Sequence, residues 1–146
     1  MRARPASDDC HGAPAARDGR ARGVARAPAR LLLFSAVAGT GFETITPREF
    51  GERVRGGEDL LLIDVREPEE YELARVEGAR LLPLSLFNDW APTLDRERPT
   101  VFICHHGVRS AQVCAFLARE GFENVYNLAG GIDRWSTEVD PSVPRY

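Results

Sequence analysis

The stretch that decides the fold is Thr100-Val-Phe-Ile-Cys-His-His-Gly-Val-Arg-Ser110, which continues as Ala111-Gln-Val-Cys-Ala-Phe-Leu-Ala-Arg-Glu-Gly121. Its first apolar run, residues 101–103, predicts a short buried strand. Residues 110–120 contain neither Gly nor Pro and predict a buried helix that ends at the glycine after them. Cys104 is therefore expected where a strand ends, six residues before a helix begins.

This position of the cysteine has a chemical consequence. A tight loop that leads into a helix N-terminus can turn successive backbone N–H groups inward and so form a cradle for an anion. A cysteine at the mouth of such a cradle is activated as a thiolate. Gly107 gives the loop the freedom to curl, and Arg109, His105 and His106 can add positive charge. The alternative for Cys104 is an ordinary buried thiol at the end of a strand.

Cys104-x-x-Gly107-x-Arg109-Ser110 after a strand resembles the active-site loop of the rhodanese-like sulfurtransferases. The resemblance begins near Thr44 and covers roughly two thirds of the chain. Residues 74 and 75 are Ala and Arg where the family usually has Gly and His, a departure that concerns a local turn. Five further stretches resemble family motifs in the family's order: Asp64-Val-Arg-Glu-Pro-x-Glu-Tyr71, Val76-x-Gly-Ala-x-x-x-Pro83, Gly121-Phe-x-Asn-Val125, Leu128-x-Gly-Gly-Ile-x-x-Trp135 and the tail from Val139 to Tyr146.

The resemblance implies a rhodanese-like α/β domain over residues 44–146, with a small parallel sheet of about five strands and helices on both faces. The alternation of apolar runs with helical stretches also favours a parallel sheet. In such sheets ligands bind beyond the carboxyl ends of the strands. Three segments are expected to meet there: Asp64–Arg66, the Cys104 loop and Gly130-Gly131.

Local signals predict the individual elements. Thr46-Pro-Arg-Glu49 forms a capping box that predicts the start of a helix, and Gly56-Gly57 predicts its end at about Arg55. Leu60-Leu-Leu-Ile-Asp-Val65 is a nearly continuous apolar run, interrupted by Asp64, and is typical of a strand covered on both faces. The remaining predictions are a short helix that begins at Pro68, strands near 80–82 and 124–128, a helical turn over 85–90 and a last helix through Trp135.

The resemblance implies that Cys104 is the catalytic nucleophile. The loop expected to hold its persulfide comprises His105, His106, Gly107, Val108, Arg109 and Ser110. Arg109 and His106 are expected to attract an anionic donor. Asp64 and Arg66 are expected to brace this loop and to pair with Glu70, because buried charges need partners.

The implied activity is sulfur transfer from thiosulfate or a persulfide donor to a thiol, to cyanide or to a biosynthetic acceptor. A sulfur-relay protein is a further expected partner, and no metal or organic cofactor is expected. Adjacent residues such as His105 and His106 rarely ligate one metal well. Cys114 is expected to pack in the core, although a disulfide with Cys104 is the alternative.

Two other functions are weighed. Cysteine-dependent phosphatases share the logic of the cysteine loop and helix but place Arg six positions after Cys. Here Arg109 is five positions after Cys104, and Ser110 takes the sixth place. The shorter loop suits a single sulfur better than a tetrahedral phosphate. A non-catalytic rhodanese-like binding module is the other alternative, although such modules typically lose the cysteine.

Composition limits the remaining choices. A chain of 146 residues is long enough for one domain of ordinary size. The formal net charge is −3, but residues 1–30 hold seven Arg against three Asp, so the rest is acidic and would repel nucleic-acid phosphate. Three cysteines cannot all pair, and this count favours a reducing compartment. We therefore expect a cytoplasmic protein that does not bind nucleic acid.

Residues 1–43 are rich in Arg, Ala, Pro and Gly and are predicted to be a disordered extension. The apolar block Leu31-Leu-Leu-Phe-Ser-Ala-Val-Ala38 is too short to span a bilayer, so no membrane interaction is expected. Its last three residues resemble a signal-peptide cleavage site, but the apolar core is short, and secretion is the less favoured alternative. Cys10 in this extension is expected to be inert.

Overall fold

The computed structural model of the protein describes residues 41–146. The predicted extension up to residue 40, with Cys10 and the apolar block at 31–38, lies outside the described residues. In the described part, no helix has the length and apolar character needed to cross a membrane.

Residues 41–146 form a parallel sheet with helices on both of its faces. The strands are β1 (Glu43–Ile45), β2 (Leu61–Asp64), β3 (Arg80–Leu81), β4 (Thr100–Ile103) and β5 (Val125–Leu128). The helices are α1 (Pro47–Arg55), α2 (Pro68–Leu73), α3 (Phe87–Trp90), α4 (Val108–Arg119) and α5 (Gly131–Glu138), with 3-10 turns at Leu84–Leu86 and Ala91–Thr93. The strands lie in the order β1-β5-β4-β2-β3, and all neighbours are parallel. The predicted fold class is confirmed.

Alternate residues of the central strands serve opposite faces of the sheet, as strand geometry requires. In β4, Val101 and Ile103 join a core cluster with Phe50 of α1. Phe102, which lies between them, joins a second cluster with Val113 of α4. All three β4 side chains are fully buried. Burial on both faces of the sheet therefore explains the apolar run at residues 101–103.

The predicted capping box starts α1. The Thr46 hydroxyl accepts a hydrogen bond from the backbone N–H of Glu49 at 3.1 Å, and the Glu49 carboxylate accepts one from the Thr46 N–H at 2.7 Å. The helix ends at Arg55, where the sequence placed its end. Phe50 of α1 packs edge-on against Trp135 of α5 with ring centroids 5.8 Å apart, so both helices cover the same face.

Two elements differ from the sequence-based expectation. β1 was not predicted, because it is three residues long and has a single buried side chain, Ile45. It begins at Glu43, one residue before the predicted start of the domain. α4 begins at Val108 rather than Ser110, because Gly107 adopts a left-handed conformation (φ 95°) and serves as the N-cap. The earlier start brings the helix N-terminus close to Cys104.

Strand register brings the predicted site segments to one edge of the sheet. Asp64 at the end of β2 is paired with Ile103 at the end of β4, and Phe102 is paired with Asn127 of β5. The loops after β2, β4 and β5 therefore leave the sheet side by side, at the carboxyl ends where ligands bind in this class of fold.

Candidate active site

Cys104 lies at the base of the loop between β4 and α4, and its side chain is almost fully buried. Its Sγ accepts hydrogen bonds from the backbone N–H of Gly107 at 3.1 Å and of Ser110 at 3.5 Å. The Ser110 hydroxyl lies 3.3 Å from the same sulfur. We call the loop from Cys104 to Ser110 the cradle. It places the sulfur at the N-terminus of α4, where backbone N–H groups favour an anion.

The N-terminus of α5 supports the cradle through backbone hydrogen bonds. The N–H of Ile132 donates to the carbonyl of Cys104 at 2.9 Å, and the N–H of Asp133 donates to the carbonyl of His105 at 3.2 Å. Gly131 makes this approach possible, because a Cβ there would lie 2.3 Å from the Cys104 carbonyl oxygen. The segment Gly130-Gly131 therefore meets the cradle, as sequence analysis expected.

Asn127 of β5 was missed by sequence analysis. Its Oδ1 lies 2.6 Å from the Ser110 hydroxyl, which donates to it, and its Nδ2 donates to the carbonyl of Gly107 at 3.2 Å. The side chain is buried, so these are the partners that offset its desolvation. A polar residue inside the apolar run 125–128 is the one signal that could have identified it.

Asp64 and Arg66 form an ion pair whose side chains are fully buried. Arg66 Nη2 lies 2.6 Å from Asp64 Oδ2, and Arg66 Nε lies 3.0 Å from Asp64 Oδ1. Arg66 also donates to the backbone carbonyls of Ala74 at 2.6 Å and Glu70 at 3.1 Å. The guanidinium is thus satisfied by several acceptors, and the pair ties the end of β2 to α2.

The carboxylate of Glu70 has a different partner from the expected one. Sequence analysis paired it with Asp64 and Arg66, but Arg66 reaches only the backbone carbonyl of Glu70, and the carboxylate pairs with Arg109. Both guanidinium nitrogens of Arg109 lie 2.7 Å from the two carboxylate oxygens. The hydrogen bonds from Arg109 lower the pKa of Glu70 to about 2, and those to Glu70 raise the pKa of Arg109. The two residues are 39 positions apart, so no local spacing signals the pair.

Tyr146 was also missed, and it connects both ion pairs. Its hydroxyl accepts a hydrogen bond from Arg66 Nη1 at 2.8 Å and donates one to Glu70 Oε1 at 3.1 Å. Burial raises the pKa of this phenol, so the hydroxyl keeps its proton. The Tyr146 ring stacks on the ring of His105 with centroids 4.0 Å apart, and His105 stacks on His106 at 3.9 Å.

The remaining predicted loop residues lie at the surface of the cradle. His105 is half-buried and His106 is exposed, and Val108 is 65% exposed. Burial, followed by the neighbouring His106, lowers the pKa of His105, so its ring is neutral at neutral pH. Within residues 41–146, no group of three or more His, Cys, Asp or Glu side chains could hold a metal ion.

Cys114 lies inside α4 in the same core cluster as Cys104, and both thiols are free. Burial, with a further contribution from Cys104, raises the pKa of Cys114 to about 12. Its thiol is therefore neutral and packs as an apolar side chain, as sequence analysis preferred.

Comparisons with known proteins identify the family of the chain. The model of the rhodanese-like domain family matches residues 46–138. A plant protein named "Rhodanese-like/PpiC domain-containing protein 12, chloroplastic", from Arabidopsis thaliana, is 45% identical over 93 residues. That match covers 61% of this chain and 31% of the relative, so the chain spans about a third of that protein's length.

A second relative is similar to the chain over nearly all of its own length. The thiosulfate sulfurtransferase GlpE of Actinobacillus succinogenes is 34% identical over 105 residues, which cover 72% of this chain and 94% of that protein. Among solved structures, a rhodanese-related protein from Thermoplasma volcanium superposes with a TM-score of 0.62 at 28% identity, over 72% of this chain and all of the other. The relatives' names support a sulfurtransferase function at moderate identity. The family model matches more than half of the chain, and the structure of a rhodanese-related protein superposes on it. The chain therefore belongs to the rhodanese-like domain family.

Proposed function

We propose that this protein is a sulfurtransferase that carries sulfane sulfur as a persulfide on Cys104. The observation that carries the proposal is the position of Cys104 Sγ, within hydrogen-bonding distance of the backbone N–H groups of Gly107 and Ser110. The same N–H groups would stabilise negative charge on an added terminal sulfur, in the manner of an oxyanion hole. We assign the binding of that sulfur to the loop residues His105, His106, Gly107, Val108, Arg109 and Ser110. Asp64 and Arg66 would support this loop indirectly, since Arg66 is connected to Arg109 through the Tyr146 hydroxyl and the Glu70 carboxylate.

The proposed reaction balances without a metal or an organic cofactor. The Cys104 thiolate attacks the outer sulfur of a donor, the sulfur–sulfur bond of the donor breaks, and its electron pair leaves with sulfite or a thiolate. Cys104 then carries a persulfide. A thiolate or cyanide attacks the terminal sulfur of that persulfide, and the Cys104 thiolate leaves. Each step exchanges one sulfur bond for another, so no outside oxidant or reductant is consumed.

The relatives' names support this class of donor and acceptor. The GlpE proteins of Actinobacillus succinogenes and Haemophilus influenzae are named thiosulfate sulfurtransferases. A sulfur-relay protein is a further proposed partner, and a reducing compartment such as the cytoplasm suits the free thiols of Cys104 and Cys114. No contact with nucleic acid or membrane is needed for the reaction.

Thiocyanate formation from thiosulfate and cyanide tests the proposal. We expect Cys104→Ala to lose at least about a hundredfold in rate, because the nucleophile itself is removed. The matched control is Cys114→Ala, which removes the other buried thiol of the same cluster and should retain the activity. Phosphate release from an aryl phosphate would favour the cysteine phosphatase instead. Binding of a partner with no turnover of thiosulfate, of cysteine persulfide or of the aryl phosphate would favour the non-catalytic module.

A further inference from the structure

We propose that Glu70 determines the class of sulfur donor. Because it forms an ion pair with Arg109, it makes the site favour persulfides of thiols over the thiosulfate dianion. This inference rests on the proposed sulfurtransferase function and assigns a role to a residue outside the loop. Glu70 acts through Arg109, and we therefore call it a positioning residue.

The first support is how firmly the Glu70 carboxylate is held. Two hydrogen bonds from Arg109, one from the Tyr146 hydroxyl and one from the backbone N–H of Glu67 converge on its two oxygens. The side chains of Glu70 and Arg109 are 22% and 32% exposed, so water and salt screen this pair less than a fully exposed one. Glu70 stays ionised at neutral pH, since its pKa is about 2. Arg109 is therefore not a free cation.

The second support is the charge balance at this end of the sheet. The three arginines described around the cradle each have a carboxylate partner: Arg66 with Asp64, Arg109 with Glu70 and Arg145 with Asp133. Burial lowers the pKa of His105, which favours its neutral ring. None of these three arginines is therefore free to pair with a dianion.

The third support is the chemistry of the two donors. Thiosulfate brings two negative charges to the site, and its leaving group, sulfite, departs with two. A persulfide in its neutral form, RSSH, brings none. The Cys104 thiolate bonds to its outer sulfur, which keeps its proton, the sulfur–sulfur bond of the donor breaks, and RS⁻ leaves with one negative charge. The cradle N–H groups of Gly107 and Ser110 suffice for a single charged sulfur.

Exposed apolar groups on the cradle and next to it fit the carbon part of such a donor. Val108 is 65% exposed, and Tyr146, which stacks on His105, is 41% exposed. An exposed apolar side chain and an aromatic ring offer contact to the alkyl portion of a thiol. Neither side chain offers a positive charge to the sulfonate group of thiosulfate.

The test compares rate constants for sulfur loading, measured by rapid alkylation and intact-mass spectrometry, with cysteine persulfide and with thiosulfate. We expect the wild-type protein to load faster from cysteine persulfide. In Glu70→Gln, Arg109 becomes an uncompensated cation, and we expect the thiosulfate-to-persulfide ratio to rise about tenfold, less at high salt. Glu72→Gln is the matched control, because Glu72 is an exposed carboxylate of the same helix. It should leave the ratio within about twofold of wild type.

Two further variants separate a charge effect from a loss of structure. Arg109→Gln in the Glu70→Gln background should return the ratio toward the wild-type value, because the freed cation is gone. Tyr146→Phe removes one hydrogen bond from the Glu70 carboxylate and should raise the ratio by about twofold. A wild-type preference for thiosulfate, or an unchanged ratio in Glu70→Gln, would overturn the donor assignment alone. Failure of both donors to load Cys104 in the wild-type protein would overturn the proposed function and the donor assignment together.

Discussion

At the scale of single residues, the cradle depends on a side chain that lies outside it. Asn127 lies on β5, yet it accepts a hydrogen bond from the Ser110 hydroxyl and donates one to the Gly107 carbonyl. Since Ser110 and Gly107 both contact the Cys104 sulfur, Asn127 fixes the spacing of the donors around that atom. Buried polar contacts of this kind are costly to break, because the remaining partners stay unsatisfied.

Replacing Asn127 by Ala should therefore weaken both stability and sulfur transfer. We expect the free energy of unfolding to fall by about 1–3 kcal/mol, because Ser110 and the Gly107 carbonyl lose buried partners. Urea unfolding and thiocyanate formation measure the two effects. Asn124→Ala is the control: Asn124 immediately precedes β5 and donates to the carbonyl of Glu97 through a long 3.4 Å contact. Equal loss of stability in the two variants would contradict this role for Asn127.

The sequence identified site residues that belong to recognisable motifs and missed two that are joined to them only by long-range contacts. Cys104, Gly107 and Ser110 lie within seven positions, and the loop pattern identified them together. Asn127 lies 17 positions from Ser110, and Tyr146 lies 80 positions from Arg66. Contacts of this separation depend on strand register and chain path, which no local spacing encodes.

At the scale of elements, the cradle is built on the N-terminus of α5. The N–H groups of Ile132 and Asp133 hold the carbonyls of Cys104 and His105, so this helix begins directly against the loop. The close approach requires a residue without a Cβ at Gly131, which has φ 60°.

Gly131→Ala should displace the loop from α5. A Cβ at that position would lie 2.3 Å from the Cys104 carbonyl oxygen, so backbone must move. The matched control is Gly57→Ala, because Gly57 also has a positive φ of 91° and nothing lies within 4 Å of its Cβ position. We expect the control to lose about 1 kcal/mol from backbone strain alone, and Gly131→Ala to lose clearly more, together with sulfur loading. Thermal unfolding of both variants measures the difference, and similar losses would contradict a steric role for Gly131.

Elements with local signals were predictable, and those that depend on tertiary contact were not. The capping box at Thr46 predicted the start of α1, and Gly56-Gly57 predicted its end. The strand β1 had no such signal, because one buried residue, Ile45, and pairing with β5 define it. The start of α4 was placed two residues late, because its N-cap is a backbone conformation of Gly107 rather than a capping side chain.

At the scale of the whole molecule, ion pairs and one phenol connect three separate parts of the chain. Arg66 and Glu70 lie in the segment from the end of β2 to α2, Arg109 lies on α4, and Tyr146 lies in the segment that follows α5. The Tyr146 hydroxyl bonds to both Arg66 and Glu70, and Glu70 bonds to Arg109. Acid should weaken this network through its carboxylates.

Glu70 should contribute to the fall in the free energy of unfolding at acid pH. Hydrogen bonds from Arg109 lower its pKa from 4.5 to about 2 in the folded protein. A carboxyl group whose pKa is lower in the folded protein stabilises the folded state at pH values above the pKa of the unfolded chain. That contribution is lost as pH falls from 4.5 toward about 2. The difference in free energy of unfolding between wild type and Glu70→Gln should be constant above pH 4.5 and should shrink toward pH 2.

Urea unfolding across this pH range measures that difference, with Glu72→Gln as the exposed control on the same helix. We expect the control to follow the wild-type pH dependence closely. A difference between wild type and Glu70→Gln that does not change with pH would mean that the Arg109 pair does not lower the pKa of Glu70 in solution.

The central claim is that Cys104 carries the transferred sulfur, and intact mass after exposure to a donor tests it most directly. Purified wild type, Cys104→Ala and Cys114→Ala are each incubated with thiosulfate or cysteine persulfide and desalted without reductant. The account predicts that wild type and Cys114→Ala gain the mass of one sulfur atom, that cyanide removes it, and that Cys104→Ala gains none. A gain that persists in Cys104→Ala, or no gain in wild type with either donor, would contradict it.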